Sequence, residues 1–277
     1  AVQTRAKQRG GPPGYDGHCR DRGLGLADGV ALRFRSPDEG TTEFDDLIRG
    51  HVCFDNAAIE DFVLLRSNGT PTFLLANVTD DADMAITHVI RGEEHVNGTP
   101  KYLLIGDALG LDHHPRFAHL PLLVDDKRRK LSKRRDDVAV GDFREQGFLP
   151  EAMVNYLALL GWGPPDGVEV RPVAEIVELF DLVDVNPSPA FFDVVKLTHI
   201  NGEYLRALDT TEFCRRAEPF LAGGDAERDA LAGMAPLVQE RVKVLTEVDA
   251  TELASRSDVL PRGLTDRLFL VSDHLRQ

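Results

Sequence analysis

The segment Phe117–Arg135, FAHLPLLVDDKRRKLSKRR, joins an apolar run to the most basic stretch of the chain. Residues 127–135 hold seven lysines and arginines in nine positions. The apolar run Phe117–Val124 is typical of a buried strand, and α/β sheets bind their ligands where such strands end. The segment therefore predicts part of an α/β nucleotide-binding layer that presents a cationic loop at its edge.

The whole chain has the opposite charge. Its 32 basic and 46 acidic residues give a net charge of −14 at pH 7. This excludes nucleic-acid binding by bulk attraction, so an anionic partner has to meet a local basic patch. A solvated charge run or an address tag is the alternative interpretation of an isolated basic nonamer. Leu131 and Ser132 instead favour a loop pinned through Leu131, from which Lys130 and Lys133 reach a polyphosphate and stabilise its developing charge.

Short strands dominate the first part of the chain. Apolar runs between turn signals predict strands over residues 30–34, 52–54, 62–65, 72–78 and 85–90. Thr99-Pro100 predicts the start of a helix, with Thr99 as its N-cap and Gly110 as its end. Four apolar residues of that helix are expected to face inward: Leu103, Leu104, Ala108 and Leu109.

Helices dominate the later part. The sequence Leu149-Pro150-Glu151 predicts a helix start, and Gly161 its end. Four residues are expected on its apolar face: Met153, Tyr156, Leu157 and Leu160. Helical periodicity also predicts helices over residues 173–180 and 194–205 and two or three more over 210–277. Trp162 and Phe148 are expected in the core rather than as platforms for stacked bases.

The cysteine count and hydropathy indicate the compartment. Cys19, Cys53 and Cys214 are sparse and odd in number, which favours a reducing environment over a disulfide framework. No run approaches the roughly 18 apolar residues of a membrane span. We expect a cytoplasmic protein that does not contact a membrane, and, since no dimerisation stripe is visible, a monomer.

The basic run also carries a family resemblance. Lys130-Leu131-Ser132-Lys133-Arg134 resembles the second signature of class I aminoacyl-tRNA synthetases, in the form found in the bacterial glutamate-specific members. Six further segments resemble that family in the same order: Tyr15–Arg20, Asp45–Gly50, Asp61–Arg66, Ala76–Asp81, His88–His95 and Gly147–Ala152. The resemblance covers about residues 5–206.

The resemblance implies an activity. Members of this family attach glutamate to tRNA(Glu) in protein biosynthesis, using ATP and passing through glutamyl-adenylate, and Mg²⁺ would arrive on the ATP phosphates. Two alternatives remain: glutamyl transfer to a modified tRNA base, and a non-catalytic RNA-binding remnant. Helical sequence continues to residue 277, which weighs against the first alternative because such relatives lack the anticodon-side helices.

The resemblance also implies roles for individual residues. Arg91 would pair with the substrate carboxylate and Asn77 would hydrogen-bond the amino acid. Phe73 stands where the family commonly has Tyr, so one polar substrate contact is absent there. Glu94 and Leu123 would contact the ATP ribose or adenine. The loop Lys130–Arg134, including Leu131, Ser132 and Arg134, would close over the ATP phosphates, with Lys130 and Lys133 as the catalytic cations and Lys133 favoured for the transition state.

The expected fold class is α/β and α multidomain. It comprises a partial Rossmann-type nucleotide-binding fold with an inserted acceptor-binding domain, followed by helical stem-contact and anticodon-side domains. The expected ranges are 1–71 for part of the inserted domain, 72–126 for the second half of the Rossmann-type fold, 127–207 for the basic loop and stem-contact domain, and 208–277 for the start of the anticodon-side helices.

Some family features are not found in the sequence. The first ATP signature, a turn containing His and Gly, has no match, so we expect a fragment without that signature and without the C-terminal end, inactive alone in glutamate activation. No metal ligands are assigned. Zinc is not expected, because Cys19 is the one remaining thiol candidate and zinc takes about four ligands. Asp80, Asp81 and Asp83 are expected to brace strand ends rather than bind magnesium.

Overall fold

The computed structural model describes residues 14–15, 17–25, 27–131, 139–221 and 224–248. The chain divides into two compact units. Unit 1 comprises Ala1–Leu122 with Asp181–Ser188, and unit 2 comprises Leu123–Phe180 with Pro189–Gln277.

Unit 1 is an α/β structure. Its elements in chain order are β1 (Leu32–Arg33), β2 (Thr41–Asp46), β3 (Gly50–Asp55), β4 (Val63–Leu65), α1 (Phe73–Asp83), β5 (His88–Gly92), α2 (Thr99–Leu109) and β6 (Arg116–Leu120). The main sheet has the order β3-β2-β6-β5, and β1 pairs with β4 separately. Strands β2 and β3 are antiparallel, whereas β6 runs parallel to both β2 and β5.

The parallel strands β5 and β6 are joined by helix α2, which confirms the strand–helix–strand pattern predicted around residues 85–124. Two details differ from the prediction. The apolar run that ends at Val124 is two strands, because β6 stops at Leu120 and the next strand begins at Leu123. Pro121 lies between them, and proline has no N–H to donate to a ladder.

The strand predicted over residues 72–78 is wrong, because this stretch begins helix α1. The side chain most deeply buried in the helix is Val78, and Leu74 and Leu75 pack on the same core at helical spacing. Asn77 donates to Asp81 one turn later at 2.8 Å, which is a helical i, i+4 contact. A short apolar run fits a buried helix as well as a strand, so periodicity alone did not distinguish them.

Helix α2 begins and ends near the predicted positions, but its inner face differs. Gly98, not Thr99, is the N-cap, and Gly110 closes the helix in the left-handed conformation with φ of 71°. The buried face contains Tyr102, Leu103 and Ile105. Ala108 and Leu109 are exposed, since Ala108 lies opposite the packed stripe and Leu109 lies in the last turn beyond it.

The core of unit 1 lies between this sheet and the two helices. Its buried members are Phe44, Phe62, Val78, Tyr102, Leu103, Ile105 and Phe117. Strand β2 alternates exposed and buried residues along its whole length, so one face of the hairpin packs on this core.

Unit 2 is mainly helical. Its elements are β7 (Leu123–Val124), α3 (Val140–Glu145), α4 (Pro150–Ala158), α5 (Val173–Leu179), β8 (Ala190–Phe191), α6 (Val194–Ala207), α7 (Thr210–Ala217) and α8 (Gly224–Gln239). The predicted helices at 149–161, 173–180 and 194–205 are confirmed by α4, α5 and α6. Asp193 caps α6 by accepting hydrogen bonds from the N–H groups of Val195 and Lys196.

The core of unit 2 is formed by α3, α4, α6, α7 and α8. Met153 and Tyr156 face it as predicted, whereas Leu157 is 40% exposed. Trp162 and Phe148 are buried, which confirms their expected place in the core. Gly147 adopts a φ of 85°, and a Cβ there would lie 2.6 Å from the backbone nitrogens of Leu245 and Thr246, so this position requires glycine.

Candidate active site

The carboxyl ends of three neighbouring strands bring three polar side chains together in unit 1. Arg91 near the end of β5 pairs in register with His119 near the end of β6. Asp46, the last residue of β2, is in register with Phe117, two residues before His119. In open α/β sheets this edge is where ligands bind. The side chains of Asp46 and His119 are fully buried there.

Arg91 is fixed by two uncharged groups. Its Nε donates to Nε2 of His119 at 3.1 Å, and its Nη2 donates to Oγ1 of Thr99 at 2.8 Å. No carboxylate of the described residues forms an ion pair with this guanidinium. Burial lowers the pKa of Arg91, and the nearby Tyr102 and Asp81 oppose that effect. A half-buried cation with a fixed orientation is therefore able to take an anionic ligand.

Asn77 joins the same region through Asp81. One carboxylate oxygen of Asp81 accepts hydrogen bonds from the Asn77 amide at 2.8 Å and from the Tyr102 hydroxyl at 3.1 Å. Burial, and then the Asp81 charge, raise the pKa of Tyr102 far above its ordinary value. Tyr102 also lies edge-on to Phe117, and the Arg91 guanidinium lies 5.6 Å from the centre of that ring. Two predicted substrate-binding residues, Asn77 and Arg91, thus share their neighbours.

The expectation that Asp80, Asp81 and Asp83 brace strand ends is wrong, because all three lie on helix α1. Asp81 orients Asn77 and Tyr102 instead.

Phe73 is the first residue of α1, one turn before Asn77. Its side chain is 67% exposed, so it does not belong to the core. An exposed aromatic ring at this position offers an apolar contact to a ligand but no hydroxyl.

Glu94 lies directly after β5, in the 3₁₀ helix Glu93–Gly98. Its carboxylate folds back over Gly92, where a Cβ would overlap it. The neighbouring Glu93 pairs with Arg49, whose Nε also donates to the carbonyl of His119 at 3.3 Å. The turn that carries Glu94 is therefore tied to the hairpin β2–β3.

In unit 2, the first half of the basic run is a tight hairpin. The N–H of Leu131 donates to the carbonyl of Leu123 at 3.0 Å, and the N–H of Asp125 donates to the carbonyl of Arg129 at 2.9 Å. Lys130 faces Val124 across the hairpin. A backbone hydrogen bond thus holds the hairpin at Leu131, whereas apolar anchoring by the Leu131 side chain stays a prediction.

Asp125 holds the turn of this hairpin. Its carboxylate accepts from the N–H groups of Lys127 at 2.9 Å and Arg129 at 2.8 Å and from the Arg129 side chain at 2.7 Å. The bond from the Arg129 guanidinium, followed by the backbone bonds, lowers the pKa of Asp125. Arg128 occupies the left-handed region with φ of 57°. Three predicted ATP-binding residues, Ser132, Lys133 and Arg134, lie outside the described residues.

Residues 25–199 match the family described as tRNA synthetases class I (E and Q), catalytic domain, and this match covers more than half of the chain. The chain belongs to this family.

Relatives and solved structures agree with this class I synthetase assignment. The glutamate–tRNA ligase of Thermobifida fusca is 56% identical over 250 residues, which cover 87% of this chain and 52% of that protein. That of Salinispora tropica is 53% identical over 246 residues, covering 85% and 53%. A crystal structure of a glutamate tRNA ligase from Elizabethkingia meningosepticum in complex with its amino acid gives a TM-score of 0.76 at 28% identity, covering 91% of this chain and 57% of the other.

The chain thus spans about half the length of the curated relatives that it matches. The family predicted from the basic pentapeptide is confirmed, as is the α/β class. The roles of individual residues in this synthetase family member stay predictions.

Sequence reasoning missed Asp46, His119 and Thr99 as parts of the site. A signal was present, since His119 is the one polar residue of the apolar run Phe117–Val124 and Asp46 ends a strand of alternating burial. Neither signal shows that residues 73 positions apart form a hydrogen bond.

Within the described residues, no group of three His, Cys, Asp or Glu side chains is placed to hold a metal ion. Cys19, the one zinc candidate, is an exposed free thiol. No described helix combines the length and the apolar character that crossing a bilayer requires.

Proposed function

We propose that this chain supplies catalytic parts of an ATP-dependent ligase that joins glutamate to tRNA(Glu) during protein biosynthesis in the cytoplasm. The geometric observation that carries the proposal is Arg91, a half-buried cation at the carboxyl ends of parallel strands that forms no ion pair with a carboxylate of the described residues. The names of relatives at 45–56% identity support glutamate as the amino acid.

The proposed reaction has two steps. In the first, an oxygen of the glutamate α-carboxylate attacks the α-phosphorus of ATP, the bond to the β-phosphate oxygen breaks, and pyrophosphate leaves. In the second, a hydroxyl of the terminal tRNA ribose attacks the carbonyl of glutamyl-adenylate, and AMP leaves. Neither step needs a nucleophile from the protein, so positioning and charge stabilisation supply the catalysis.

On the amino-acid side, Arg91 would pair with a carboxylate of glutamate. A guanidinium suits this role because its planar fork donates two parallel hydrogen bonds, which a lysine ammonium does not. Asn77, oriented by Asp81, would hydrogen-bond the same molecule. Phe73 would cover it with an exposed ring.

On the ATP side, Glu94 and Leu123 would contact the ribose or adenine. Lys130 and Lys133, with Leu131, Ser132 and Arg134, would surround the phosphates, and Lys133 would stabilise the transition state. Mg²⁺ would enter on the phosphates of ATP, as the family resemblance implies, and the proposal assigns it no step.

The four ranges predicted from the sequence are proposed as functional regions of a monomer. Residues 1–71 would belong to an inserted acceptor-binding domain and 72–126 to the nucleotide fold. Residues 127–207 would carry the basic loop and contact the tRNA stem, and 208–277 would begin the anticodon-side helices.

The proposal is tested in a chimera in which this chain replaces its matched segment in the Thermobifida fusca enzyme. The chimera should charge an unmodified tRNA(Glu) transcript with glutamate. Arg91→Lys should raise the KM for glutamate roughly tenfold to a hundredfold, because a hydrogen bond to a charged group contributes about 1.5–3 kcal/mol. The measurement is the charging rate at varied glutamate concentration.

Arg116→Lys is the matched control, since Arg116 is an exposed arginine at the start of β6. It should leave the KM for glutamate unchanged. An Arg91→Lys chimera with the parent KM would exclude the proposed role of Arg91. A chimera that modifies only fully modified tRNA, and not the transcript, would indicate base glutamylation instead of charging.

A further inference from the structure

We propose that Asp46 and His119 are positioning residues that hold Arg91 through a neutral imidazole, so that the charge of Arg91 remains for the carboxylate of the substrate. This inference rests on the proposed function for the identity of that substrate. The arrangement of the three side chains can be tested independently of it.

The carboxylate of Asp46 is the fixed end of the chain of hydrogen bonds. Its Oδ1 accepts from the N–H groups of Ile48 and Arg49, each at 3.0 Å, and from the N–H of His119 at 3.2 Å. Its Oδ2 lies 2.6 Å from Nδ1 of His119. Backbone groups therefore set the position of the carboxylate, and the carboxylate sets that of the imidazole.

The tautomer of His119 follows from Arg91. An arginine Nε–H only donates, so Nε2 of His119, at 3.1 Å from it, has to accept. The ring proton is then on Nδ1, where it donates to Asp46. Thr99 fits the same assignment, since its Oγ1 accepts from Arg91 and its hydroxyl has acceptors in Nε2 at 3.2 Å and in the carbonyl of His95 at 3.3 Å.

The surroundings keep this imidazole neutral. It is enclosed between Asp46 from β2, Arg91 from β5, Thr99 from α2 and Arg49, which approaches its carbonyl from the β2–β3 turn. Burial lowers the pKa of His119, the two arginines lower it further, and Asp46 opposes them without reversing the direction. Burial alone would raise the pKa of Asp46, but its hydrogen bonds, first that from His119, lower it overall.

The neutral imidazole between Asp46 and Arg91 leaves Arg91 able to bind an anion. A carboxylate in direct contact with Arg91 would form the bidentate pair that the substrate needs to form. The imidazole instead fixes the direction of the Nε–H bond and leaves the positive charge in place. The anion of Asp46 is kept one ring farther away, where its attraction for Arg91 is weaker.

The arrangement is tested first by NMR on the 277-residue chain labelled with ¹⁵N in histidine and arginine. We expect a protonated Nδ1 and an unprotonated Nε2 on His119, and a scalar coupling across the hydrogen bond between Arg91 Nε and His119 Nε2. A proton on Nε2, or a charged imidazole at pH 7, would overturn the inference.

The role in binding is tested by Asp46→Asn in the chimera described above. The asparagine keeps an oxygen for the backbone N–H groups, but its amide donates to Nδ1, so the ring proton moves to Nε2 and opposes the Arg91 Nε–H. We expect the KM for glutamate to rise about tenfold with a smaller change in kcat and in the KM for ATP. Asp55→Asn, at another turn-capping aspartate of unit 1, should change none of these values.

A double variant separates positioning from a general structural effect. If Asp46 acts through Arg91, Asp46→Asn should add little to the KM for glutamate in an Arg91→Lys background. Full additivity of the two effects would overturn the positioning role. A parent chimera that binds no glutamate would instead refute the proposed function. The NMR result would still decide whether the hydrogen bonds from Asp46 through His119 to Arg91 exist.

Discussion

Asp46, His119 and Arg91 come from three strands, and each is unfavourable in its position without the other two. A buried carboxylate and a buried imidazole lose their hydration, and hydrogen bonds have to replace it. The structure supplies these from the N–H groups of the β2–β3 turn and from the side chains themselves. We therefore expect the stability of unit 1 to depend on pH through the protonation of His119 and of Asp46.

Acid should destabilise unit 1 through His119. Its pKa is lowered in the folded state, so below the ordinary histidine value of about 6.5 the unfolded chain takes up a proton that the folded chain does not. The contribution of neutral His119 to the free energy of unfolding is complete above that value. Below it, each further pH unit of acidification lowers this contribution by at most about 1.4 kcal/mol. Asp46, with a lowered pKa, adds stability that is lost only below its ordinary value, near pH 4.

The measurement is hydrogen exchange of the β5 and β6 amides between pH 5 and pH 8, corrected for intrinsic exchange rates. His119→Gln should flatten the dependence of protection on pH above pH 5. If the parent and His119→Gln lose protection in parallel, the folded state does not exclude the proton from His119.

At the level of elements, two short segments determine where the candidate ligands lie. Helix α1 places Phe73 and Asn77 one turn apart, whereas a strand would have placed them on the same face but about 13 Å apart. The hairpin from Leu123 to Leu131 places Lys130 opposite Val124. The hairpin depends on the carboxylate of Asp125, which bonds to the local backbone and to Arg129.

Asp125→Ala should open the hairpin of the basic run. The change removes the carboxylate that accepts from two backbone N–H groups and from Arg129, and it leaves Arg128 in an unfavourable left-handed conformation. We expect the backbone amides at positions 125 and 131 to lose most of their protection against hydrogen exchange.

Asp126→Ala is the control for Asp125→Ala, because it makes the same change of charge at the adjacent, exposed residue. Its amide protection should match that of the parent. Equal loss of protection in both variants would mean that net charge, rather than the capping bonds of Asp125, holds the hairpin.

For the molecule as a whole, each unit has its own hydrophobic core. The chain contains one tryptophan, Trp162, and it is buried in unit 2. Its fluorescence therefore follows the unfolding of that unit.

Leu197→Ala should lower the unfolding free energy of unit 2 by about 2–5 kcal/mol, because Leu197 is fully buried in the helical core. Val195→Ala, on the same helix at 80% exposure, should change it by less than about 0.5 kcal/mol. Urea unfolding followed by Trp162 fluorescence measures both. Similar midpoints for the two variants would contradict the assignment of this core.

The sequence by itself determined the features that depend on neighbouring residues. Helices α4, α5 and α6 follow from apolar spacing and terminal residues, and the end of α2 at Gly110 follows from the need for a left-handed conformation. The basic pentapeptide determined the family, because its residues are contiguous and its order among the other segments is preserved.

Only the tertiary structure decided the features that depend on distant residues. Packing of Leu74, Leu75 and Val78 on the core of unit 1 made a helix of a run that local pattern assigns equally well to a strand. The alignment of β2 with β6 brought Asp46 to His119, and that of β5 with β6 brought His119 to Arg91. Strand register joins residues by their place in the sheet rather than in the chain, so no local pattern contains it.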